Sequence, residues 1–214
     1  MLHHRSGAAD RAELTPATPT LGVRMTFAAG EEIYGEEEDA DLVYRLISGS
    51  VRTQRLTPDG RRQIGDFYYP GEIFGLEPAS QHRYSAEALS TVTVLVIKLS
   101  SLGLYGEEGA RFERQIVEAT RRELARTQDH LMVLGRRSAC ERVASFLLDL
   151  SDRGRGEVFD LAMGRQDMAD FLGLTIETVS RMMSQLISDR VLRLEGLRRV
   201  RVVHRSALES AAGL

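Results

Sequence analysis

The stretch from Glu107 to Leu134 is expected to form one long helix. It contains no proline and, after Gly109, no glycine, the two residues that most often interrupt helices. A seam of apolar residues and threonines recurs within it alternately three and four positions apart, the spacing of a coiled coil. A helix of this length extends roughly 40 Å, so we expect a second copy of the chain, rather than the chain's own strands, to cover the seam. The predicted dimer seam consists of Val117, Thr120, Leu124, Thr127, Leu131 and Leu134.

Before this helix the sequence has the pattern of short strands separated by turns. Apolar runs alternate with turn residues such as Ser48-Gly49-Ser50 between about residues 24 and 98. Asp59-Gly60 is a strong hairpin signal, because both central positions of such a turn favour positive φ. Closely spaced short strands predict a compact barrel or roll.

After the long helix the sequence changes to short helices followed by a hairpin. Gly135 marks the predicted break, and Ser138 is the predicted N-cap of the next helix, with a glutamate three positions later as in a capping box. A further short helix ends at Gly173, another begins after Thr175, and two strands follow around the turn at Glu195-Gly196. Two short helices joined by a tight glycine-containing turn and followed by a hairpin form a winged helix-turn-helix.

The second helix of this pair has an ordered polar face. In a winged helix-turn-helix this helix enters the DNA major groove, with its N-terminal residues on base edges. Arg181 suits the O6 and N7 acceptors of guanine, Glu177 suits the amino group of cytosine, and Ser180 suits a base or a phosphate, so we expect these three to read bases. Phosphate contacts, which position the protein without reading sequence, are expected from Thr175, Thr178, Ser184, Arg193, Arg198, Arg199 and Arg201.

These patterns predict an α+β chain of four parts. Residues 1–22 form a flexible tail, 23–106 a β-roll resembling a sensor domain, 107–136 the dimerisation helix and hinge, and 137–214 the winged helix-turn-helix. The tail is polar and unpatterned. Its His3 and His4 are interpreted as tail residues rather than as a metal site.

The order of parts resembles the Crp/Fnr superfamily of bacterial transcription regulators over about residues 24 to 205. The motifs that carry the resemblance are PGEIFGLE in the roll and MADFLGLTIETVSRMMSQL in the DNA reader, while DGRRQI, FGLE and SAEAL resemble most closely the FixK-type members of the Fnr branch. In that branch the pattern E-x-x-S-R reads TTGA-type half-sites in inverted repeats, and it falls here on Glu177, Ser180 and Arg181. The cyclic AMP receptor protein has an arginine where this chain has Ile176, which disfavours that protein's half-site.

The chain departs from the cyclic AMP receptors at the nucleotide cassette. Those receptors close it with an adjacent Arg-Ser, where this chain has Tyr84-Ser85. Arg83 lies one position away, where strand alternation points it to the other face. Glu72 matches the cassette glutamate and is interpreted as a structural acid after a Pro-Gly turn. We therefore expect no response to cyclic nucleotides and no small-molecule effector.

The chain has one cysteine, Cys140, and one histidine in the roll, His82. A single cysteine excludes an intrachain disulfide and the four-cysteine iron–sulfur cluster of oxygen-sensing Fnr proteins. His82 is interpreted as a loop residue and not as a haem ligand, so we expect no metal and no cofactor. Cys140, near a helix N-terminus and close to Arg136 and Arg137, is a candidate redox switch. Its alternative is a small packing residue.

Charge and hydropathy exclude other classes of protein. The formal charge is −3, with an acidic stretch at residues 31–41 and a basic one at residues 176–205. The acidic stretch is a candidate contact for RNA polymerase, with a solvated loop as the alternative. Apolar runs are too short to span a bilayer and the N-terminus has no secretory signal, so a cytoplasmic location is expected. The sequence contains no nucleophile–base pair and no phosphate-binding loop that would indicate an enzyme.

The sequence therefore predicts a homodimeric regulator that binds specific double-stranded DNA sequences without an effector. The family resemblance implies activation of anaerobic, microaerobic or nitrogen-fixation genes. The alternative is a ligand-gated or redox-gated sensor, in which the roll or Cys140 controls DNA binding through the hinge near residues 134–137.

Overall fold

The computed structural model describes residues 21–136, 138–154 and 156–214. A sheet-rich roll, a long helix and a helix-turn-helix unit follow one another along the chain, so the predicted α+β architecture is confirmed. The tail histidines His3 and His4 lie outside the described residues. Leu21, which we assigned to the tail, is buried against the roll. Within the described ranges, no helix is both long and apolar enough to cross a membrane.

The roll consists of antiparallel sheets. Its strands are β1 (Val23–Phe27), β2 (Glu32–Tyr34), β3 (Leu42–Ser48), β4 (Val51–Leu56), β5 (Arg62–Tyr68), β6 (Ile73–Phe74), β7 (Ser85–Ala88) and β8 (Val92–Lys98). One sheet has the order β1-β8-β3-β6 and the other β2-β7-β4-β5. The β-branched strand β8 lies between β1 and β3, and its Val92, Val94 and Ile97 are fully buried, as its composition favours.

Aromatic rings fill the interior of the roll. Tyr34, Tyr44, Tyr68 and Phe74 pack with ring centroids 5.2–6.2 Å apart, and all four are buried. The imidazole of His82 stacks on Tyr34, with 3.7 Å between ring centroids. Aromatic side chains bury large areas and interlock in tilted and stacked pairs, so they give the roll a dense core.

The hairpin signalled by Asp59-Gly60 joins β4 to β5 as predicted, but its turn differs from the predicted type. Gly60 has a φ of 79°, whereas Asp59 is not among the residues with positive φ. The amide of Thr57 donates to the carbonyl of Arg61 at 2.8 Å, so the loop is longer than two residues. Longer hairpin loops need a left-handed residue at one position, which glycine provides here.

A 3₁₀ helix at Leu99–Tyr105 leads into the long helix α1, Gly106–Arg136. One face of α1 packs on the roll through the buried side chains of Phe112 and Ala119. The predicted seam lies on the other side, where its members are exposed except for Leu134, which is half-buried. The exposed fractions of its apolar side chains are 51% for Val117, 58% for Leu124 and 64% for Leu131.

The break predicted at Gly135 falls one residue before the end of α1. The helix continues through Gly135 to Arg136, and the next described residue is Ser138. A glycine within a helix costs about 1 kcal/mol relative to alanine. The helix accordingly ends one residue after the glycine.

The C-terminal unit is a winged helix-turn-helix. Its elements are α2 (Ala139–Arg153), β9 (Val158–Asp160), α3 (Arg165–Leu172), α4 (Ile176–Ser188), β10 (Leu192–Glu195), β11 (Arg199–Val202) and α5 (Arg205–Ala211). The strands form a sheet in the order β10-β11-β9. The predicted capping box of α2 is present, with the Ser138 hydroxyl accepting from the Glu141 amide and the Glu141 carboxylate accepting from the Ser138 amide.

The winged unit and the roll share one hydrophobic core. Ile64 and Phe67 of β5 belong to the same buried cluster as the apolar residues of α2, α3 and α4. The ring of Phe67 lies 6.0 Å from that of Phe146 on α2 and 5.4 Å from that of Phe171 on α3, between centroids. The winged unit is therefore docked on the roll by side-chain packing.

Candidate nucleic-acid interface

The turn between α3 and α4 is fixed by a glycine and a helix cap. Gly173 has a φ of 61°, a left-handed conformation that L-residues rarely adopt. The amide of Leu174 donates to the carbonyl of Ala169 at 3.0 Å and closes α3. Thr175 then caps α4, its hydroxyl accepting from the amide of Thr178 at 3.2 Å. These local interactions set the angle at which α4 leaves the turn.

The apolar face of α4 anchors it to the winged unit. Val179, Met183 and Leu186 are almost completely buried. They recur at helical spacing, so the opposite face of α4 points outward. The orientation of the candidate reading face is thus fixed by the core of its own domain.

The candidate base-reading residues lie on that outward face. Glu177, Ser180 and Arg181 are all exposed in the first two turns of α4. Within the described part of the chain no hydrogen bond or ion pair occupies the Arg181 guanidinium. An unoccupied guanidinium presents its forked donors in the geometry that guanine O6 and N7 accept.

Glu177 is held in the ionised form. Hydrogen bonds from its own amide and from the Thr175 hydroxyl lower the pKa of its carboxyl group. Its position in the first turn of α4 also places it at the positive end of the helix dipole. An ionised carboxylate only accepts hydrogen bonds, which suits it to the amino group of cytosine.

The other side chains predicted to contact DNA from α4 have different environments. The Thr175 and Thr178 hydroxyls lie 3.1 Å apart and bond to each other in addition to the cap, so they shape the N-terminus of α4. Ser184 is exposed one turn beyond Ser180. Ile176, which precedes the reading residues, is 37% exposed and extends the same surface with apolar atoms.

The wing carries its charges on one face. Arg193 pairs in register with Arg201, and Glu195 with Arg199, so these four side chains share a side of the hairpin. Arg201 Nε lies 2.6 Å from Glu195 Oε1, and this hydrogen bond lowers the pKa of Glu195. Arg193 and Arg199 are exposed beside this pair. Arg198 instead donates to the carbonyl of Ala162 at 3.0 Å and ties the wing to the body of the domain.

Glu72, which matches the cassette glutamate of cyclic AMP receptors, has structural partners here. Its carboxylate accepts from the amide of Tyr69 at 2.8 Å and from Arg126 Nη1 at 3.3 Å. Burial raises the pKa of Glu72, and the nearby Arg153 opposes this effect. These contacts close the turn after β5 and tie it to α1, as expected of a structural acid.

The residues next to the cassette arginine position have partners within the roll. The hydroxyl of Ser85 donates to the carbonyl of Gln54 at 3.1 Å. Arg83 is exposed and pairs with Glu77 at 3.2 Å.

Cys140 and His82 are both set into packed surroundings. Cys140 is half-buried against the core of the winged unit. Burial, followed by the charges of Asp189 and Glu141, raises the pKa of its thiol. These surroundings favour the packing alternative, because a redox switch needs a thiolate. The side chains of Arg136 and Arg137 lie outside the described residues.

His82 lies outside the regular strands, as expected, but it is buried rather than exposed. Its two ring nitrogens have no hydrogen-bond partner among the described atoms. Burial lowers the pKa of His82 and keeps it neutral. In the described ranges no group of three or more potential ligand side chains is arranged to hold a metal ion.

Sequence reasoning missed Arg142, which joins the long helix α1 to the winged unit. Arg142 of α2 donates to the carbonyl of Leu134 at 2.9 Å and to the carbonyl of Leu172 at 3.0 Å. These carbonyls belong to the last turns of α1 and α3, where backbone acceptors lack partners within the helix. A basic residue in an amphipathic helix gives no sign of which distant carbonyls it will meet.

Two domain families match separate parts of the chain. Residues 24–103 match the family of cyclic nucleotide-binding domains. Residues 141–211 match the family of Crp-like helix-turn-helix domains. These matches lie in the roll and in the winged unit, on either side of α1.

Curated relatives match over most of the chain. Nitrogen fixation regulation protein FixK of Azorhizobium caulinodans is 43% identical over 211 residues, which cover 95% of this chain and 85% of that protein. The protein of the same description from Bradyrhizobium diazoefficiens is 43% identical over 78% of this chain and 72% of its own length. The solved structure of FixK2 from Bradyrhizobium japonicum superposes with a TM-score of 0.82 at 40% identity, covering 90% of this chain and 98% of that one.

Proposed function

This chain belongs to the Crp/Fnr superfamily as a FixK-type DNA-binding transcription regulator, and we propose that it acts as a homodimer on TTGA-type inverted repeats without a small-molecule effector. The exposed reading face of α4 is the observation that carries this proposal. We keep the division into residues 23–106, 107–136 and 137–214 as the proposed domain limits. The matched families at 24–103 and 141–211 fall inside the first and last of them.

The uncovered seam on α1 supports the homodimer. It leaves apolar side chains in water along several turns of the helix, which is unfavourable unless a partner covers them. Its two polar members are compatible with burial, because the hydroxyl of Thr120 donates to the carbonyl of Ile116 and that of Thr127 to the carbonyl of Glu123. Each threonine therefore presents its methyl group to a partner helix without an unsatisfied donor.

The side chains on α4 support the proposal that the half-site is of the TTGA type. Arg181 and Glu177 supply the donor and acceptor for a guanine and a cytosine, and Ser180 lies between them on the same face. Ile176 adds exposed apolar atoms at the N-terminal end of this surface. Such atoms suit the methyl groups of thymines, in keeping with a half-site that begins with two thymines.

Two observations support independence from an effector. The aromatic cluster around Tyr34 and Phe74 fills the roll interior with side chains. Glu72, which matches the cassette glutamate, is bonded to Tyr69 and Arg126. A ligand bound inside the roll would have to displace some of these packed groups.

The biological role is proposed from the relatives. Proteins described as regulating nitrogen fixation and as transcriptional activators match over most of the chain, so we propose that this chain activates nitrogen-fixation, anaerobic or microaerobic genes. An activator on DNA contacts RNA polymerase, and the exposed acids Glu37, Glu38 and Asp39 are our candidate surface. Because its partner is DNA, we propose a cytoplasmic location.

A selection of random duplex DNA by the purified protein, without added ligand, tests the proposal. We expect enrichment of inverted repeats whose half-sites resemble TTGA. Enrichment only after a cyclic nucleotide or another small molecule is added would instead support the ligand-gated alternative. Enrichment of single, unpaired half-sites would contradict the homodimer.

A further inference from the structure

Four charged side chains join the roll to α3, the first helix of the helix-turn-helix. Arg62, at the start of β5, donates from Nε to Asp170 Oδ2 at 2.8 Å and from Nη2 to Asp167 Oδ1 at 2.6 Å. Arg52, on β4, donates from Nη1 to the same oxygen of Asp167 at 2.8 Å. We refer to Arg52, Arg62, Asp167 and Asp170 as the clasp.

The clasp is largely shielded from water. Its side chains are between 10% and 25% exposed, and Arg52 is held from the roll side by Glu87 at 2.9 Å. Asp167 is held from the reader side, where its second oxygen accepts from the amide of Gly164 and caps α3. Partly buried, charge-assisted hydrogen bonds are shorter and stronger than those of surface ion pairs. Arg52 and Asp167 are therefore each held in place by a contact within their own domain.

The clasp lies on the path between the dimer seam and the reading helix. The roll carries α1 on one side through Phe112 and Ala119 and holds α3 on the other through Arg52 and Arg62. The reading helix α4 packs on α3, so any rotation of α3 against the roll moves the reading face relative to the seam. In a two-fold symmetric dimer such a rotation occurs in both subunits and changes the distance between their reading helices.

We propose that the clasp is a positioning device that sets the spacing of the half-sites the dimer accepts. This inference rests on the proposed function. The aromatic contact of Phe67 with Phe171 supplies attraction but little direction, because burial of apolar area is non-directional. An arginine fork bound to two carboxylates fixes both distance and angle. The clasp thus holds the reading helices in a constant relation to the dimer axis without a ligand.

The test uses duplexes that carry two half-sites with the spacer lengthened or shortened by one and two base pairs. The dissociation constant is measured for the full-length wild type, for Arg62→Asp, for Asp170→Arg and for the double exchange. We expect the wild type to bind one spacer best. Each single reversal should reduce that preference by on the order of tenfold, as loss of a charge-assisted pair allows. The double exchange should restore much of the spacer preference, because it again places opposite charges at positions 62 and 170.

Arg61→Asp is the matched control. Arg61 is the neighbouring arginine of the same hairpin, and its side chain pairs only with Asp59 of its own loop among the described residues. It should keep the wild-type spacer preference. Arg62→Gln and Asp170→Asn remove the pair without creating repulsion, and thermal melting of every variant identifies any that fail to fold.

The outcomes separate the clasp from the proposed function. A single half-site compared with scrambled DNA measures sequence reading in each variant. Folded Arg62 variants that read the half-site and keep the wild-type spacer preference overturn the positioning role. A wild type that does not distinguish the half-site from scrambled DNA contradicts the proposed function itself.

Discussion

The phenol of Tyr68 donates a hydrogen bond of 3.3 Å to one carboxylate oxygen of Glu123, across the contact between β5 and α1. The other oxygen of Glu123 has no partner among the described atoms. Burial, reinforced by the nearby charge of Asp66, raises the pKa of Glu123 to about 7. The long helix therefore packs on the roll through a carboxyl group that gains or loses its proton near neutral pH.

This raised pKa predicts that Glu123 makes stability depend on pH. Between the unfolded value of 4.5 and the folded value of about 7 the folded state binds more protons, so the free energy of unfolding falls as pH rises through that window. Glu123→Gln removes this loss. We expect the free energy of unfolding of the variant to exceed that of the wild type by up to about 3 kcal/mol above pH 7. Below pH 4.5 the two values should be nearly equal. Urea denaturation at a series of pH values measures the difference.

Glu118→Gln provides the control for this pH series. Glu118 lies on the same helix but is exposed and paired with Arg122 at 3.7 Å. Its substitution should leave the pH dependence of the unfolding free energy unchanged. A Glu123→Gln variant whose stability follows the wild-type pH profile would show that this carboxyl does not titrate near pH 7.

The exposed guanidinium of Arg181 predicts a loss of discrimination at one guanine of each half-site. Arg181→Ala removes both donors to O6 and N7, a contact worth about 1–3 kcal/mol of discrimination. The ratio of dissociation constants for the half-site with and without that guanine should fall toward one, while nonspecific binding persists. Ser184→Ala, one turn further along the same face, should leave this ratio unchanged. An Arg181→Ala variant with intact preference would remove Arg181 from the reading set.

The elements that sequence reasoning predicted well carry local signals. The capping box at Ser138, the cap at Thr175 and the left-handed Gly173 each act over a few residues, so the sequence alone places the helix ends and the tight turn. The reading face of α4 followed from helical spacing alone. The break expected at Gly135 was placed to within one residue of the end of α1 at Arg136.

What the sequence did not reveal depends on partners far apart in the chain. Arg62 and Asp170 are separated by 108 positions, and no periodicity in either segment identifies the other. The burial of His82 likewise depends on Tyr34, which lies on β2, far from His82 in the sequence. Docking of the reader on the roll is a tertiary property, so the clasp became visible only in the folded structure.

The uncovered seam predicts that one buried charge separates the subunits. Leu124→Asp places carboxylates of both copies at the centre of the seam, where desolvation and repulsion each oppose association. We expect the dimer dissociation constant to rise on the order of a hundredfold or more, measured by sedimentation equilibrium. Ala125→Asp introduces the same side chain at the next exposed position, outside the seam, and should leave the dimer intact. A monomeric wild type with full affinity for the inverted repeat would contradict the seam.

The arrangement of the wing predicts unequal contributions from its arginines to the salt dependence of DNA binding. Each phosphate contact adds about 0.9 to the slope of log affinity against log salt concentration. Arg199 is exposed, so Arg199→Gln should reduce the slope by about that amount per subunit on every sequence tested, without changing sequence preference. Arg201 is neutralised by Glu195 at 2.6 Å, so the double change of Arg201→Gln with Glu195→Gln should leave the slope nearly unchanged. If the double variant loses as much slope as Arg199→Gln, Arg201 leaves Glu195 to bind a phosphate when DNA is present.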